Sequence, residues 1–347
     1  MYINLLLLSN MGPSKQNPNS GRFVYNQYNA LKNIKDINVD FFYLNQDKKT
    51  GLLKKLRYPL FFITFILRYV FTRKKLDIIH IHFYFPLILF AILYKVIRNN
   101  KLKIVVTCHG SDIYLYDPPS RLYQWASYRV DQFIFVSQAL CDEFYRQVDA
   151  KILSAGVLDA FYNKPSVKNK EFDLLFVGHL DFNKGIDRLA LVLEKITIPL
   201  KIAIVGVGDV KPYITNKNAQ LIYLGAKTPV ELIDIYQSAK FLINFSRKES
   251  FGLVMTEAMA CGLPVIATLT DGAKTQINHN VNGFVFENSD ELLVSQGSNK
   301  LETILSLSTD EYQLLANNAI ESAQQFKLSN VIKELVIIYN QQFSSVN

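Results

Sequence analysis

Two glutamates, Glu249 and Glu257, lie eight positions apart in the sequence, with a glycine between them. A short apolar run at residues 241–245 precedes them and predicts a β-strand. Residues 252–261 suit a short helix with Ser250 as its N-cap, and a Gly-x-Pro sequence then ends the helix before the next apolar run. The pattern predicts a strand–helix–strand unit with one carboxylate in the turn and the other on the helix.

The backbone amides of Phe251, Gly252 and Leu253 open this predicted helix. A helix N-terminus has unpaired N–H groups and a partial positive charge, which together attract phosphate. Glu249 directly precedes these amides. Glu257 borders an apolar helix face, where a carboxylate requires a partner, and ribose hydroxyls would suit it. Either glutamate alone is more often a solvated surface residue, so the predicted ligand site depends on the whole set.

This stretch resembles the Glu-x7-Glu motif of the retaining glycosyltransferases of family 4. A segment after the predicted strand at 172–178 resembles the Gly-Arg-Leu-x3-Lys-Gly segment of the same family. Lys184 matches the family lysine, whereas His179 stands where the family has arginine. In the family, the arginine and the lysine of this segment contact the donor diphosphate. Because histidine offers one donor and titrates near neutral pH, we expect a diphosphate site with altered rate or donor choice.

Further segments resemble the family outside its main motif. His109, with the glycine and aspartate that follow it, resembles the His-Gly-x-Asp segment whose histidine faces the donor sugar. Gly21 matches a loop glycine that lets the backbone approach the substrates, and Gly206 and Gly225 follow strands that lead to the donor site. A dinucleotide-binding site is not supported at Gly206, because Lys211 occupies the position of the required third glycine.

The resemblance implies a GT-B fold, in which two facing Rossmann-like α/β domains with parallel sheets enclose a deep interdomain cleft. We predict an acceptor-binding domain at 1–165, a nucleotide-sugar-binding domain at 166–330, and a C-terminal helix at 331–347 that returns to the first domain. The length of 347 residues and the 49% hydrophobic content suit two domains, each with its own core.

Metal and cofactor sites are not expected. His80 and His82 alternate along a predicted strand at 77–82, and we interpret this alternation as placing them on opposite faces, where they cannot share a metal ion. The chain contains no Asp-x-Asp triplet, and no His, Asp or Glu cluster has the spacing of metal ligands. We therefore predict that the protein binds no metal ion and needs no cofactor besides the nucleotide-sugar substrate.

Cysteine usage and charge indicate the compartment and the partners. The three cysteines have no paired spacing, and no basic segment precedes the first apolar run, so we expect a cytoplasmic location. Residues 1–165 hold 22 basic and 11 acidic side chains, whereas the remainder holds 16 and 19. Nucleic acid is not an expected partner of the basic first domain, because no nucleic-acid-binding signature accompanies the charge.

Basic residues between Lys48 and Lys75 surround the apolar stretch at 58–71, which is too short and too interrupted by Arg68 to span a bilayer. The stretch could lie on the anionic cytoplasmic face of the inner membrane. Four side chains are candidates for insertion: Phe61, Phe62, Phe65 and Leu67. A core helix with a basic rim explains the same pattern equally well.

The resemblance implies retaining transfer of a hexose-type sugar from a nucleotide sugar, with UDP expected, to a glycan or polyprenyl-linked acceptor in bacterial polysaccharide, O-antigen or capsule biosynthesis. Lys184 and the amides at 251–253 would stabilise the leaving diphosphate, and Glu249 would orient the sugar hydroxyls. His109 would face the sugar. Two alternatives stay open: a non-catalytic nucleotide-sugar-binding subunit, suggested by His179, and a phosphorylase or epimerase of the same architecture.

Overall fold

The structure is a computed structural model that describes residues 2–47, 55–163, 170–208 and 217–344. The chain divides into two compact units. The first unit comprises Met1–Gly156 and Leu328–Asn347, and the second is Val157–Lys327.

The first unit contains a sheet of six parallel strands in the order β2-β1-β3-β4-β5-β6. The strands are β1 Ile3–Ser9, β2 Ile37–Tyr43, β3 Ile78–His82, β4 Lys103–Cys108, β5 Gln132–Phe135 and β6 Ala150–Ile152. β3 is buried along its whole length, as expected for a central parallel strand that helices cover on both faces. The carboxyl ends of all six strands lie at one edge of the sheet, because the strands are parallel.

Seven helices belong to the described part of the first unit. They are α1 Arg22–Leu31, α2 Arg57–Phe65, α3 Tyr84–Ile97, α4 Ser111–Tyr114, α5 Arg121–Ser127, α6 Gln138–Asp142 and, last in the chain, α13 Leu328–Ser344. α2 continues into a π-helical turn, Ile66–Val70. α13 joins the first unit through buried side chains such as Tyr339, whose hydroxyl lies 2.6 Å from Nδ1 of His80 on β3.

The second unit contains a second sheet of six parallel strands, in the order β12-β11-β10-β7-β8-β9. The strands are β7 Phe172–Val177, β8 Leu200–Val205, β9 Ala219–Gly225, β10 Ala239–Asn244, β11 Val265–Thr268 and β12 Gly283–Phe286. Its helices are α7 Ile186–Glu194, α8 Pro229–Ser238, α9 Leu253–Ala260, α10 Asp271–Gln276, α11 Asp290–Leu305 and α12 Thr309–Ala323. Two short 3₁₀ turns lie at Asp159–Tyr162 and Gln324–Phe326.

Each face of the second sheet carries its own apolar core, because successive strand residues point to opposite sides. Leu174 packs on the face that α7 covers, and Leu175 packs on the face that α9 covers. β10, α9 and β11 form the strand–helix–strand unit around the two glutamates, with β10 and β11 parallel. The two parallel sheets confirm the predicted α/β class.

The division between the units differs from the boundary at residue 165 that the sequence suggests. The chain enters the second unit at Val157, whose N–H donates to the carbonyl of Phe326 at 2.9 Å. Val157 and Phe161 are buried in the core of the second unit. The final helix begins at Leu328 rather than at residue 331. The polar segment at 164–169 lies outside the described residues.

The interpretation that His80 and His82 occupy opposite faces of a strand is wrong. Residues two apart on a strand share a face, because the side-chain period is two. Both rings are fully buried, and their centroids are 4.4 Å apart. Among the residues that the structure describes, no group of three or more His, Cys, Asp or Glu side chains is arranged to hold a metal ion.

The apolar stretch of the basic region forms α2 and its π-helical turn, and two of the four candidate insertion residues lie in the core. Phe61 stacks on Phe42 at 4.6 Å between ring centroids, and Phe65 meets the edge of Phe90 at 5.2 Å. Phe62 also contacts the Phe90 ring, so Leu67 alone of the four is largely exposed. Lys48, Lys49 and Lys54 lie outside the described residues. No helix in the described ranges is both long and apolar enough to cross a membrane.

Candidate active site

Lys184 and Glu249 form an ion pair in the second unit, between the loops that follow β7 and β10. These two strands are hydrogen-bonded neighbours, so their carboxyl ends bring the loops together. The left-handed backbone of Gly185 permits the close approach, because a Cβ atom there would lie 2.1 Å from the carbonyl oxygen of Phe245. The side chains of Lys184 and Glu249 are 28% and 15% exposed, so the pair remains accessible to a ligand.

Arg247 ties the same two loops together. Its guanidinium donates to both carboxylate oxygens of Asp187 at 2.9 and 2.7 Å, and to Asp290 at 2.9 Å. The guanidinium also lies over the ring of Phe182, 3.5 Å from the centroid. Bidentate pairing of this kind fixes orientation as well as distance. Sequence reasoning did not identify Arg247, because its carboxylate partners lie in the first turns of α7 and α11, which only the fold brings near it.

The turn that opens α9 differs in detail from the prediction. Ser250 is not the N-cap: Gly252 holds that position with a left-handed backbone, and the helix starts at Leu253 without a side-chain cap. The amides of Phe251, Gly252 and Leu253 have no hydrogen-bond partner among the described residues. The Phe251 ring packs against Phe326, so this residue offers only its backbone to a ligand. These amides form a donor group beside the carboxylate of Glu249.

Glu257 lies on α9 and has one hydrogen-bond partner among the described residues. The hydroxyl of Tyr236, on α8, donates to Oε2 of Glu257 at 3.0 Å. Desolvation by the surrounding protein raises the pKa of Glu257 to about 7, although the bond from Tyr236 opposes this shift. The carboxyl group therefore titrates near neutral pH and can accept further hydrogen bonds. Tyr236 carries no sequence signal for this role, because it belongs to a preceding helix.

The remaining predicted residues of the second unit lie at the ends of β7, β8 and β9. The N–H of Gly206 donates to the carbonyl of Gly225 at 3.0 Å, which joins the ends of β8 and β9. Apart from its chain neighbours, no described residue places a heavy atom within 4 Å of where a Cβ of Gly225 would be. His179, just after β7, is exposed. All the predicted residues of this unit thus lie at the carboxyl edge of the second sheet or on α9.

His109 follows β4 at the carboxyl edge of the first sheet. Its imidazole contacts the rings of Phe23 and Phe83, whose centroids are 4.9 and 4.6 Å away. Its Nε2 lies 3.1 Å from Nδ1 of His82. Desolvation lowers the pKa of His109 to about 3, so the ring is neutral at physiological pH. Gly21 lies at the N-terminus of α1 with a left-handed backbone, at the same edge of the sheet.

Asp112 holds the backbone around His109. Its carboxylate accepts hydrogen bonds from the N–H groups of His109 and Gly110, both at 2.9 Å, and from Tyr84 at 2.9 Å. The side chain is buried, and desolvation raises its pKa. The aspartate of the His-Gly-x-Asp resemblance is thus a structural residue that fixes the histidine at the end of β4.

Solved structures identify the class of protein that this fold defines. Sucrose-phosphate synthase from Thermosynechococcus elongatus superimposes with a TM-score of 0.77 at 18% identity, covering 99% of this chain and 100% of that chain. HepE from Anabaena, in complex with UDP and glucose, gives a TM-score of 0.72 at 18% identity, with 98% and 100% covered. At these identities the likeness establishes the fold, which is that of the GT-B glycosyltransferases.

Matches to family models then show which family the chain belongs to. Residues 21–154 match the model described as Glycosyltransferase Family 4, and residues 159–325 match the model described as Glycosyl transferases group 1. N-acetyl-alpha-D-glucosaminyl L-malate synthase of Bacillus anthracis is 26% identical over 296 residues, which cover 78% of this chain and 76% of that protein. The chain belongs to family 4 of the glycosyltransferases.

Proposed function

We propose that this glycosyltransferase transfers a hexose-type sugar from a UDP-linked donor to a hydroxyl of a glycan or polyprenyl-linked acceptor, with retention of configuration, in bacterial polysaccharide, O-antigen or capsule biosynthesis. The observation that carries the proposal is the Lys184–Glu249 ion pair beside the amides at 251–253, for which the described part of the chain supplies no hydrogen-bond partner. A cation, several N–H donors and a carboxylate in one place match a diphosphate joined to a sugar. UDP is favoured because HepE, which shares the fold, binds UDP and glucose.

In the proposed reaction the bond between the anomeric carbon and the diphosphate breaks, and negative charge grows on the leaving phosphate. Lys184 and the amides at 251–253 stabilise that charge. Arg247 does not add to it, because Asp187 and Asp290 already neutralise its guanidinium. Lys184 has three N–H donors, so it can contact phosphate while it remains close to Glu249. Glu249 accepts hydrogen bonds from sugar hydroxyls.

Glu257 is proposed to bind the ribose of the donor. Two ribose hydroxyls that donate to this carboxylate would favour its charged form, whereas burial in the free protein favours the neutral form. No carboxylate is assigned a position beneath the anomeric carbon. We therefore propose front-face substitution assisted by the leaving phosphate, without a metal ion.

Donor binding by thermal shift tests the proposal. In the presence of EDTA, one nucleotide class among UDP-, GDP- and ADP-sugars should raise the melting temperature of the wild type. The expected effect is large, because a ligand at about 100 times its Kd adds about 2.7 kcal/mol to the free energy of unfolding. The shift should disappear in Glu257→Ala and persist in Glu321→Ala, a matched variant at an exposed position. Absence of any shift in the wild type, with every donor tested, would contradict the proposed donor site. A shift retained in Glu257→Ala would contradict the ribose role.

We also propose that the outer face of α2 rests on an anionic lipid bilayer. Leu60, Ile63, Leu67 and Phe71 recur at helical spacing and are 48%, 51%, 62% and 76% exposed. Exposed basic side chains at residues 73–75 follow directly. An apolar helix face beside basic residues is typical of segments that lie in the membrane interface.

Vesicle flotation tests this second proposal. Replacing residues 73–75 with serine should lower binding to vesicles that contain phosphatidylglycerol about 100-fold, since each basic residue near such a surface contributes about 1 kcal/mol. Ile63→Ser combined with Leu67→Ser should lower it about 10-fold or more through lost apolar burial. Leu314→Ser, at an equally exposed site in the second unit, should change nothing. Equal binding of all variants, or no binding by the wild type, would contradict the proposal.

A further inference from the structure

A group of buried side chains extends from α13 through the first sheet to His109. The ring nitrogens of His80 are both engaged: Nδ1 lies 2.6 Å from the Tyr339 hydroxyl and Nε2 lies 2.7 Å from the Thr107 hydroxyl. His82 packs against His80 and reaches His109 through its Nδ1, at 3.1 Å from Nε2. The other nitrogen of His82, Nε2, is buried and has no hydrogen-bond partner among the residues that the structure describes.

The bond between His82 and His109 has two possible directions, and the unpaired nitrogen distinguishes them. Desolvation lowers the pKa of each ring far enough that both are neutral, so each carries a single N–H. If His109 donated from Nε2, the proton of His82 would be on its own Nε2, buried without an acceptor. Unpaired buried N–H groups are rare in proteins. The favoured arrangement therefore has His82 donating from Nδ1 to Nε2 of His109.

This direction determines what His109 offers to a ligand. With its Nε2 accepting, His109 must carry its proton on Nδ1, an atom without a hydrogen-bond partner among the described residues. The ring is half-buried at the carboxyl end of β4, where parallel sheets bind ligands.

We propose that His82 is a positioning residue that fixes the tautomer of His109, so that His109 Nδ1–H donates a hydrogen bond to a hydroxyl or phosphate oxygen of a substrate. This inference rests on the proposed transferase function. It also gives His109 a specific chemistry: neither ring nitrogen has a free lone pair, so His109 is a neutral donor and not a general base.

The surroundings of the pair maintain this arrangement. Phe23 and Phe83 both pack against the His109 ring, and Asp112 anchors its backbone. His80 supports His82, and is itself held at both nitrogens. A rotated His82 ring would present a carbon to His109 and lose the hydrogen bond.

Long-range ¹H–¹⁵N correlation spectra of the wild type test the tautomers directly, because they separate an imidazole N–H from a bare nitrogen. The chain has only five histidines, so each signal can be assigned by single substitution. We expect the protons of His82 and His109 on their Nδ1 atoms. A proton on Nε2 of His109 would overturn the proposal, whether or not the protein transfers sugar.

Two variants test the consequence for turnover. His82→Asn keeps an N–H donor near the position of Nδ1, whereas His82→Phe keeps the ring volume and removes the donor. We expect kcat to fall about 10-fold in His82→Phe at nearly unchanged donor KM, and to recover at least partly in His82→Asn. A purely structural role would lower thermal stability without this difference in kcat. Equal kcat in folded His82→Phe and wild type would overturn the proposal, and a wild type that binds no donor would instead contradict the proposed function.

Discussion

Replacing Lys184 with methionine is expected to lower kcat for sugar transfer by about 10² to 10³, the usual effect of removing one preorganised group that stabilises a transition-state charge. The reason lies in the composition of the site. Arg247 is neutralised by two carboxylates, and an exposed histidine stands at residue 179, so Lys184 supplies the strong cation next to the amides at 251–253. Initial rates at saturating donor measure the effect.

Two further variants complete this test. Lys333→Met, at an exposed position on α13, removes the same charge elsewhere and should leave kcat unchanged. A loss of less than about fivefold in Lys184→Met would show that the leaving diphosphate is stabilised by other groups. If the wild type is inactive and His179→Arg gains transfer, the non-catalytic alternative is supported instead.

Glu257→Gln is expected to weaken donor binding about 10- to 100-fold, because hydrogen bonds to a charged group contribute about 1.5–3 kcal/mol and the amide is neutral. The same change should stabilise the free protein at alkaline pH. Both effects follow from a buried carboxyl group that has Tyr236 as its one hydrogen-bond partner among the described residues.

The direction of the pH effect follows from the raised pKa of Glu257. Its pKa is about 7 in the folded protein and 4.5 in the unfolded chain, so between these values the folded state binds more protons. The free energy of unfolding therefore falls as the pH rises from 4.5 to 7, and the glutamine variant lacks this loss. Melting temperatures measured without nucleotide at pH 5 and pH 8 test this direction. The melting temperature of Glu257→Gln should exceed that of the wild type only at pH 8. An equal difference at both pH values would contradict the assignment.

The sequence could predict that Lys184 and Glu249 lie at the same edge of a sheet, because each follows an apolar strand and parallel strands have their carboxyl ends at one edge. It did not predict their ion pair. The partners that hold the site were also not predicted. Arg247 and Tyr236 act on residues that only the fold brings near them. The family resemblance assigned His109 to the donor sugar but gave no role to His82, its hydrogen-bond partner. The prediction that His80 and His82 face opposite sides of the sheet was wrong, because residues two apart on a strand share a face.

The basic region shows a second limit of sequence reasoning. α2 is apolar around much of its circumference, so periodicity alone does not identify the face that is buried. The buried face of α2 is determined by Phe42 on β2 and Phe90 on α3, which cover Phe61 and Phe65. The units divide after Gly156 rather than at residue 165 for a related reason, since the apolar residues after 156 join the core of the second unit.

The second unit is one continuous segment, Val157–Lys327, inserted between the two parts of the first. During synthesis, the ribosome therefore makes the whole second unit before it adds the helix Leu328–Ser344. Tyr339, the partner of His80 in the centre of the first sheet, arrives only at that stage. The unit whose synthesis begins first is therefore the one whose synthesis ends last, and it cannot complete its fold before the second unit has been made.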